Sequence, residues 1–123
     1  IDANIENIEV DKANNFWAEF EKGILKFTLN EDLTEVENLR SFDRIESNNK
    51  LKKLIKFNNQ KLYFVADSGI YSYHNEDERF IKDTIFNSLY EQKIFPSNIL
   101  VDDFNRMWIF SEGKFLSYYL AND

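Results

Sequence analysis

Two tryptophans occupy matching positions in two copies of one sequence pattern, and this pattern restricts the possible folds more than any other feature. Val10 stands seven residues before Trp17, and Val101 stands seven residues before Trp108. An Asp directly follows each Val, and an Ile precedes each Val by two positions. A pattern that recurs in this way is typical of a chain built from structural repeats.

A third copy lies between these two and carries Phe in place of Trp. Phe57 stands seven residues before Phe64, and Ile55 precedes Phe57 by two positions. This alignment makes Phe64 equivalent to Trp17 and Trp108, with steps of 47 and 44 residues between the copies. If the three positions are equivalent in the fold, all three side chains are expected to be largely buried.

The glycines recur at the same step as the aromatic positions. The chain has three, Gly23, Gly69 and Gly113, and each follows its aromatic position by five or six residues. Glycine accommodates the positive φ that a tight hairpin turn needs. We therefore expect all three in hairpin turns, most of them with positive φ.

Each copy is predicted to form antiparallel strands. The strands that carry the aromatic position are expected at residues 16–20, 62–66 and 107–110, and a more polar fourth strand is expected at Val36–Phe42 and Arg79–Lys82. Residues 34–40 and 85–92 also permit a helical interpretation, which the sequence leaves open.

The strand at residues 62–66 is apolar on both faces. Leu62, Phe64 and Ala66 alternate with Tyr63 and Val65. Because successive strand residues point to opposite faces, this strand is expected to lie in a sheet that is covered on both sides.

A four-stranded antiparallel meander that recurs about every 45 residues is typical of a β-propeller blade. We predict an all-β fold, a β-propeller fragment of about three four-stranded antiparallel blades, in one partial domain over residues 1–123. The repeats are expected at about 1–44, 45–94 and 95–123, with the third incomplete. A β-sandwich whose hairpins match by coincidence is the alternative.

Three blades are too few for a closed ring, because propellers typically have 4–8. The end sheets therefore need neighbours, either the remaining blades of a parent protein or a second copy in a homodimer. The chain starts with Ile1 and not Met, so we expect a processed or excised piece.

Composition excludes several functions for this segment. The net charge of −7 argues against nucleic-acid binding, and the longest apolar run, 62–66, is too short to cross a membrane. The chain has no Cys, which excludes disulfides, thiol catalysis and Cys-ligated zinc. Four lysines are expected on a solvated strand face, with an anionic partner as the alternative. They are Lys50, Lys52, Lys53 and Lys56.

Catalytic or metal-binding chemistry has few candidates. His74, the only histidine, is predicted to lie in a solvated loop, although Glu76 or Glu78 could join it at a metal. The neighbouring Asp102 and Asp103 suit acid–base chemistry poorly because they point to opposite faces, so Asp102, like Asp11, is expected to close a turn. We predict no catalytic residues, metal or cofactor, and the sequence leaves the ligand-binding residues unknown.

The two tryptophans allow two interpretations. An indole ring can stack on a sugar, but residues at a shared repeat position are expected to pack between blades. We therefore expect Trp17 and Trp108 to be packing residues.

The motifs resemble those of a known repeat. Residues 8–27 contain Ile-x-Val-Asp, then Asn-Asn-Phe-Trp-Ala, then Lys-Gly-Ile-Leu-Lys-Phe, and this order is similar to the two-component regulator propeller repeat. Residues 99–118 resemble a second copy, and residues 55–73 a degenerate third. The chain departs from that repeat at the turn glycine, which is Asn14 in the first copy and Asn105 in the last.

The resemblance implies a place and a role. Such repeats form periplasmic sensor ectodomains of Bacteroidetes hybrid two-component sensors and of related membrane-anchored helix-turn-helix regulators. It implies a non-enzymatic segment of such an ectodomain, with an oligosaccharide as the possible glycan-derived signal and no membrane contact by this segment. A protein-interaction scaffold is the alternative, followed by a polysaccharide lyase or hydrolase.

Overall fold

The computed structural model describes residues 4–46, 49–57, 61–84, 91, 98–104, 106–111 and 114–119. These residues form twelve strands, which are β1 (Ile5–Val10), β2 (Phe16–Phe20), β3 (Gly23–Leu29), β4 (Val36–Phe42), β5 (Arg44–Glu46), β6 (Asn49–Phe57), β7 (Lys61–Ala66), β8 (Gly69–His74), β9 (Arg79–Lys82), β10 (Asn98–Val101), β11 (Arg106–Ser111) and β12 (Lys114–Tyr119). No helix in the described part is long and apolar enough to span a membrane.

The strands form three antiparallel sheets in chain order. Sheet 1 contains β1 to β4, sheet 2 contains β5 to β9, and sheet 3 contains β10 to β12. The fold is therefore all-β, and the successive meanders are consistent with a β-propeller fragment. Sheet 2 has five strands where four were expected, because the short β5 forms a hairpin with the start of β6.

The polar fourth strands lie at the predicted bounds, as β4 and β9. The helical interpretation of residues 34–40 is wrong, because β4 pairs with β3 from Val36 to Phe42. A register shift interrupts this pairing near Asn38, which has a φ of 54°. The other helical interpretation, at 85–92, falls almost entirely outside the described residues.

Sheet 2 is the central layer, and both of its faces are buried. Leu62, Phe64 and Ala66 pack in one apolar cluster with Trp17 of sheet 1. Tyr63 and Val65 belong to a second cluster, shared with β10 and β11 of sheet 3. The predicted two-sided burial of this strand is confirmed.

Polar side chains also join sheets 1 and 2, along the part of β6 that lies beyond its pairing with β5. Glu19, only 6% exposed, accepts a hydrogen bond from the Leu54 backbone N–H at 2.7 Å. The Asn7 side-chain amide donates to the Leu54 carbonyl oxygen at 3.5 Å, and Lys56 forms an ion pair with Glu9 at 2.9 Å. The two hydrogen bonds satisfy the Leu54 backbone groups, which are costly to bury unpaired.

Glu19→Ala is expected to lower the free energy of unfolding by about 1–3 kcal/mol, because it leaves the buried Leu54 N–H without an acceptor. Urea denaturation followed by circular dichroism measures this loss. The control, Glu19→Gln, keeps an amide oxygen at the same place and is expected to cost less. Equal losses for the two variants would mean that the hydrogen bond contributes nothing measurable.

The strand registers assign Tyr63, and not Phe64, as the equivalent of the two tryptophans. In sheet 1 the last pair before the loop is Val10 with Phe16, and five residues lie between them; Trp17 follows Phe16. In sheet 3 the last pair is Val101 with Met107, again with five residues between them, and Trp108 follows. In sheet 2 the pair that encloses five residues is Lys56 with Leu62, and Tyr63 comes next. Sheet 2 has one more pair at the turn, Phe57 with Lys61. An alignment that starts from the last residue of β6 therefore selects Phe64, one residue too far along the chain.

The orientation of these side chains agrees with the corrected register. Trp17 faces sheet 2, and Tyr63 faces sheet 3. Met107 and Ile109 point from β11 into the cluster with sheet 2, so Trp108 between them lies on the far face of sheet 3. Trp17 is 1% exposed and Trp108 only partly buried, because no described sheet covers that far face.

The glycine prediction holds for one of the two described glycines. Gly23 and Gly69 both begin the strand after a two-residue hairpin turn. Gly23 has a φ of +147°, whereas Gly69 does not have positive φ, so the expectation is wrong there. Lys114 occupies the equivalent register position in sheet 3, and Gly113 lies outside the described residues.

Candidate functional site

The carboxylate of Asp11 organises the loop between β1 and β2. One of its oxygens accepts hydrogen bonds from the backbone N–H groups of Ala13 and Asn15, both at 2.9 Å. The other accepts from the Asn15 side-chain amide at 3.1 Å and from the Trp17 indole N–H at 2.9 Å. Asn14, which takes the place of the turn glycine of the repeat, has a φ of 63°, a value that Asn adopts more readily than most residues.

Asp102 makes the same arrangement between β10 and β11. One oxygen accepts from the N–H groups of Phe104 and Arg106, at 2.9 and 3.0 Å. The other accepts from the Arg106 side chain and the Trp108 indole, each at 2.8 Å. The predicted turn-closing role of Asp11 and Asp102 is confirmed.

The pKa of Asp102 reflects this saturation with donors. Desolvation acts to raise the pKa, but the hydrogen bonds from Trp108, Arg106 and Phe104 outweigh it and hold the pKa well below the ordinary value for Asp. Asp102 is thus a fixed carboxylate at neutral pH. It has no proton to give to a substrate.

A cleft of about 540 Å³ opens between sheets 1 and 2, beside the Asp11 loop. Its apolar wall is formed by Trp17, Leu62 and Phe64. Its polar and amphipathic lining comes from Asp11, Lys12, Lys61, Ser72, Tyr73 and Asn75. An apolar wall with a few placed polar groups, at this volume, is typical of a small-ligand site.

The rim of the cleft is tied across the two sheets. The Asn15 side-chain amide donates to the Asn75 side-chain oxygen at 2.9 Å, which joins the loop after β1 to the turn after β8. Asn15 is 8% exposed and also bonds to Asp11, so its position is fixed. A ligand in the cleft therefore meets loops of both sheets that are already held together.

Tyr73 lines the cleft with its ring and has a buried hydroxyl. Its ring packs edge-on against Trp17, at a centroid distance of 4.9 Å. Burial raises its pKa, against the opposing charge of Arg40, so the phenol stays protonated at neutral pH. Its hydroxyl is buried and makes no hydrogen bond of normal geometry with the described residues.

His74 lies beside the cleft. It is exposed at the end of β8, as the predicted solvated position requires, in an adjoining depression of about 470 Å³ that Glu76 and Asp77 also line. The described residues contain no group of three His, Cys, Asp or Glu placed to hold a metal. The expectation of no metal, cofactor or catalysis stays a prediction.

The four lysines on β6 are not a uniform solvated face. Lys52 forms an ion pair with Asp67 at 2.9 Å and holds the pKa of that carboxyl below its ordinary value. Lys56 is partly buried against Glu9 of sheet 1, while Lys50 is exposed. Two of the four charges are thus compensated within the chain.

Comparison with known proteins supports the fold. No known family profile matches the chain, and no curated protein does. Among solved structures, the chain is similar to the extracellular domain of a one-component system from B. thetaiotaomicron, with a TM-score of 0.54 and 12% identity. The match covers 94% of this chain but 14% of that one. At this identity it shows a shared fold, and the chain spans about one seventh of its neighbour.

Proposed function

We propose that this chain is a ligand-sensing segment of the extracytoplasmic, periplasmic part of a bacterial signal-transduction regulator. Two observations support the proposal. The stacked antiparallel sheets share their fold with the extracellular domain of a one-component system. The cleft between sheets 1 and 2 offers a polar rim over an aromatic wall.

The buried Tyr73 hydroxyl carries the assignment of the cleft as a binding site. This hydroxyl is buried without a hydrogen bond of normal geometry, and Arg40 is the neighbour that acts on it; a ligand acceptor that reached the hydroxyl would supply the missing bond. Ser72, Asn75 and Lys61 line the same cleft, and Lys61 already has Asp83 at 3.4 Å. Several neutral or compensated hydrogen-bonding groups beside aromatic rings suit an oligosaccharide better than a strongly charged ligand.

Trp17 shapes this site without stacking on the ligand. Only 1% of its surface is exposed, and its ring is held by Phe64 at 4.7 Å and by Tyr73. Its packing function, predicted from the repeat position, fits this burial. A sugar ring would instead meet the rim residues and the exposed part of Tyr73.

Signalling would follow from the position of the cleft between two sheets. A ligand that bridges the loops after β1 and β8 binds best at one spacing of sheets 1 and 2. A ligand shifts a conformational equilibrium only by its differential affinity for the two states. The ligand would thus favour the arrangement in which the Asn15 to Asn75 contact is closed.

The cleft is better suited to binding than to catalysis. Asp11, the carboxylate that lines it, accepts four hydrogen bonds from the protein. A general base needs a free lone pair aimed at the substrate. The oxygens of Asp11 are engaged by donors of the protein itself, so we propose that the segment is not an enzyme.

A protein-interaction scaffold is the second candidate, and one observation favours it. Phe104, in the loop after β10, is 73% exposed, and the Arg106 guanidinium lies over its ring at 5.2 Å. Exposed aromatic residues at a loop are typical anchors for protein partners.

Isothermal titration calorimetry with cellotetraose and tetragalacturonate, one neutral and one acidic probe, tests the sensing proposal. We expect saturable binding of cellotetraose, tighter than that of tetragalacturonate and weakened about tenfold by Tyr73→Phe or Lys61→Ala, since each removes a hydrogen bond. Lys50→Ala is the matched control, because Lys50 is exposed and does not line the cleft. Failure of both probes to bind, or binding that Tyr73→Phe and Lys61→Ala leave unchanged, would contradict the proposal.

A further inference from the structure

The outer face of sheet 1 is apolar and is exposed along β1. Asn7 and Glu9 point towards sheet 2, so Ile8 and Val10 point away from it, and they are 53% and 40% exposed. Phe16 lies beside them and stacks on Phe27 at 5.4 Å. Exposed aliphatic residues in a row on a strand are typical of an interaction surface.

The equivalent positions in the other two sheets are covered. By strand register, Ile8 corresponds to Leu54 in sheet 2 and to Ile99 in sheet 3. Leu54 is 1% exposed and Ile99 is 4% exposed, because each packs against the preceding sheet. Sheet 1 thus has the residue pattern of a sheet with a predecessor.

The outer face of sheet 3 shows the opposite end of the same interface. Leu100 is 65% exposed there, beside the partly buried Trp108. The register equivalents in sheet 2, Ile55 and Tyr63, are 5% and 0% exposed. Sheet 3 thus has the residue pattern of a sheet with a successor.

One pair of facing positions is charged at one sheet–sheet interface and apolar at the other, and this difference indicates which outer faces are complementary. Between sheets 1 and 2 this pair is Glu9 and Lys56, which form an ion pair at 2.9 Å. Between sheets 2 and 3 the same positions are apolar, with Val101 packed against the cluster that contains Ile55. On the outer face of sheet 3, Leu100 has the register position of Glu9. On the outer face of sheet 1, Val10 has the register position of Lys56.

We propose that sheet 3 of one copy of this chain docks on the outer face of sheet 1 of a second copy. Leu100 then faces Val10, an apolar match like that between sheets 2 and 3, and Trp108 covers the region of Ile8. The contact is head-to-tail, so a pair of copies makes it twice when the ring closes. Six sheets result, within the 4–8 blades of known propellers. This assembly goes beyond the proposed sensing function and does not depend on it.

Analytical ultracentrifugation of the whole chain between about 1 and 100 µM tests the proposal. We expect a dimer whose dissociation constant rises at least about tenfold in Val10→Lys or Leu100→Glu, because each places a charge opposite an apolar residue. Leu33→Lys is the matched control, because Leu33 is exposed at the turn before β4 and lies on neither face. Circular dichroism checks that every variant is folded.

The double variant Val10→Lys with Leu100→Glu gives the sharpest outcome. It recreates the Glu9 and Lys56 pair across the proposed contact, so association is expected to recover relative to both single variants. Lack of recovery would overturn the proposed register. A wild-type monomer at about 100 µM would overturn the dimer and leave the two faces to further sheets of a longer polypeptide.

Discussion

Trp17→Ala is expected to lower the free energy of unfolding by about 3–5 kcal/mol. Trp17 is 1% exposed and lies at the centre of an aromatic cluster, with Phe64 at 4.7 Å and Tyr73 at 4.9 Å. The substitution opens a cavity between sheets 1 and 2 and removes the indole donor that satisfies Asp11. Urea denaturation of the variant and the native chain gives the difference.

Phe104→Ala is the control for Trp17→Ala. It also removes an aromatic ring, but Phe104 is 73% exposed, so we expect a change within about 0.5 kcal/mol. Similar losses for the two variants would contradict the packing of sheet 1 on sheet 2. Trp108→Ala is expected to cost less than Trp17→Ala where the chain is monomeric, because Trp108 lies on the outer face of sheet 3.

Gly23→Ala is expected to lower the free energy of unfolding by at least about 1–3 kcal/mol. Its φ of +147° is one that L-residues rarely adopt. An added Cβ would also lie 2.3 Å from the Phe42 carbonyl oxygen and 2.9 Å from the Cα atom of Asp43. These are backbone atoms, so relief requires β3 and β4 to separate.

Gly69→Ala is the matched control, at the equivalent position of sheet 2. Its added Cβ would meet the end of the Lys82 side chain, at 2.7 Å, and a flexible lysine can move away. Gly69 also lacks the positive φ of Gly23, so thermal unfolding should show a much smaller loss. An equal or larger loss for Gly69→Ala would mean that the β3–β4 contact is not what requires Gly23.

The recurring strands were predictable from sequence because each sheet repeats the same local order. The polar strands β4 and β9 carry little hydrophobic signal, yet their positions follow from the strands before them. The extra strand β5 was not predictable, because it is three residues long and depends on pairing with β6.

The register of the middle repeat was predicted one residue out. The seven-residue step from Phe57 to Phe64 equals that from Val10 to Trp17, and Tyr63 and Phe64 are both buried, so the spacing favoured the wrong position. The glycine step of the first copy held the correct signal. Gly23 follows Trp17 by six residues, and Gly69 follows Tyr63, not Phe64, by six.

The residues that line the cleft could not be predicted from the sequence. Asn15 and Asn75 are sixty residues apart and meet only because sheets 1 and 2 stack. Ser72 and Tyr73 read as alternating strand residues, with nothing in their spacing to mark a rim. By contrast, the turn-closing function of Asp11 depends on local chain geometry and was predictable.

The indole N–H signals of the two tryptophans provide the most direct test of the cleft as a ligand site. Trp17 lines the cleft and donates to Asp11, while Trp108 makes the same bond to Asp102 on another sheet. NMR titration with cellotetraose and tetragalacturonate compares two matched reporters in one molecule. A saturable shift of the Trp17 indole signal, with that of Trp108 unmoved, is the predicted result. A probe that binds yet leaves the Trp17 signal in place, or that moves only the Trp108 signal, would contradict the account.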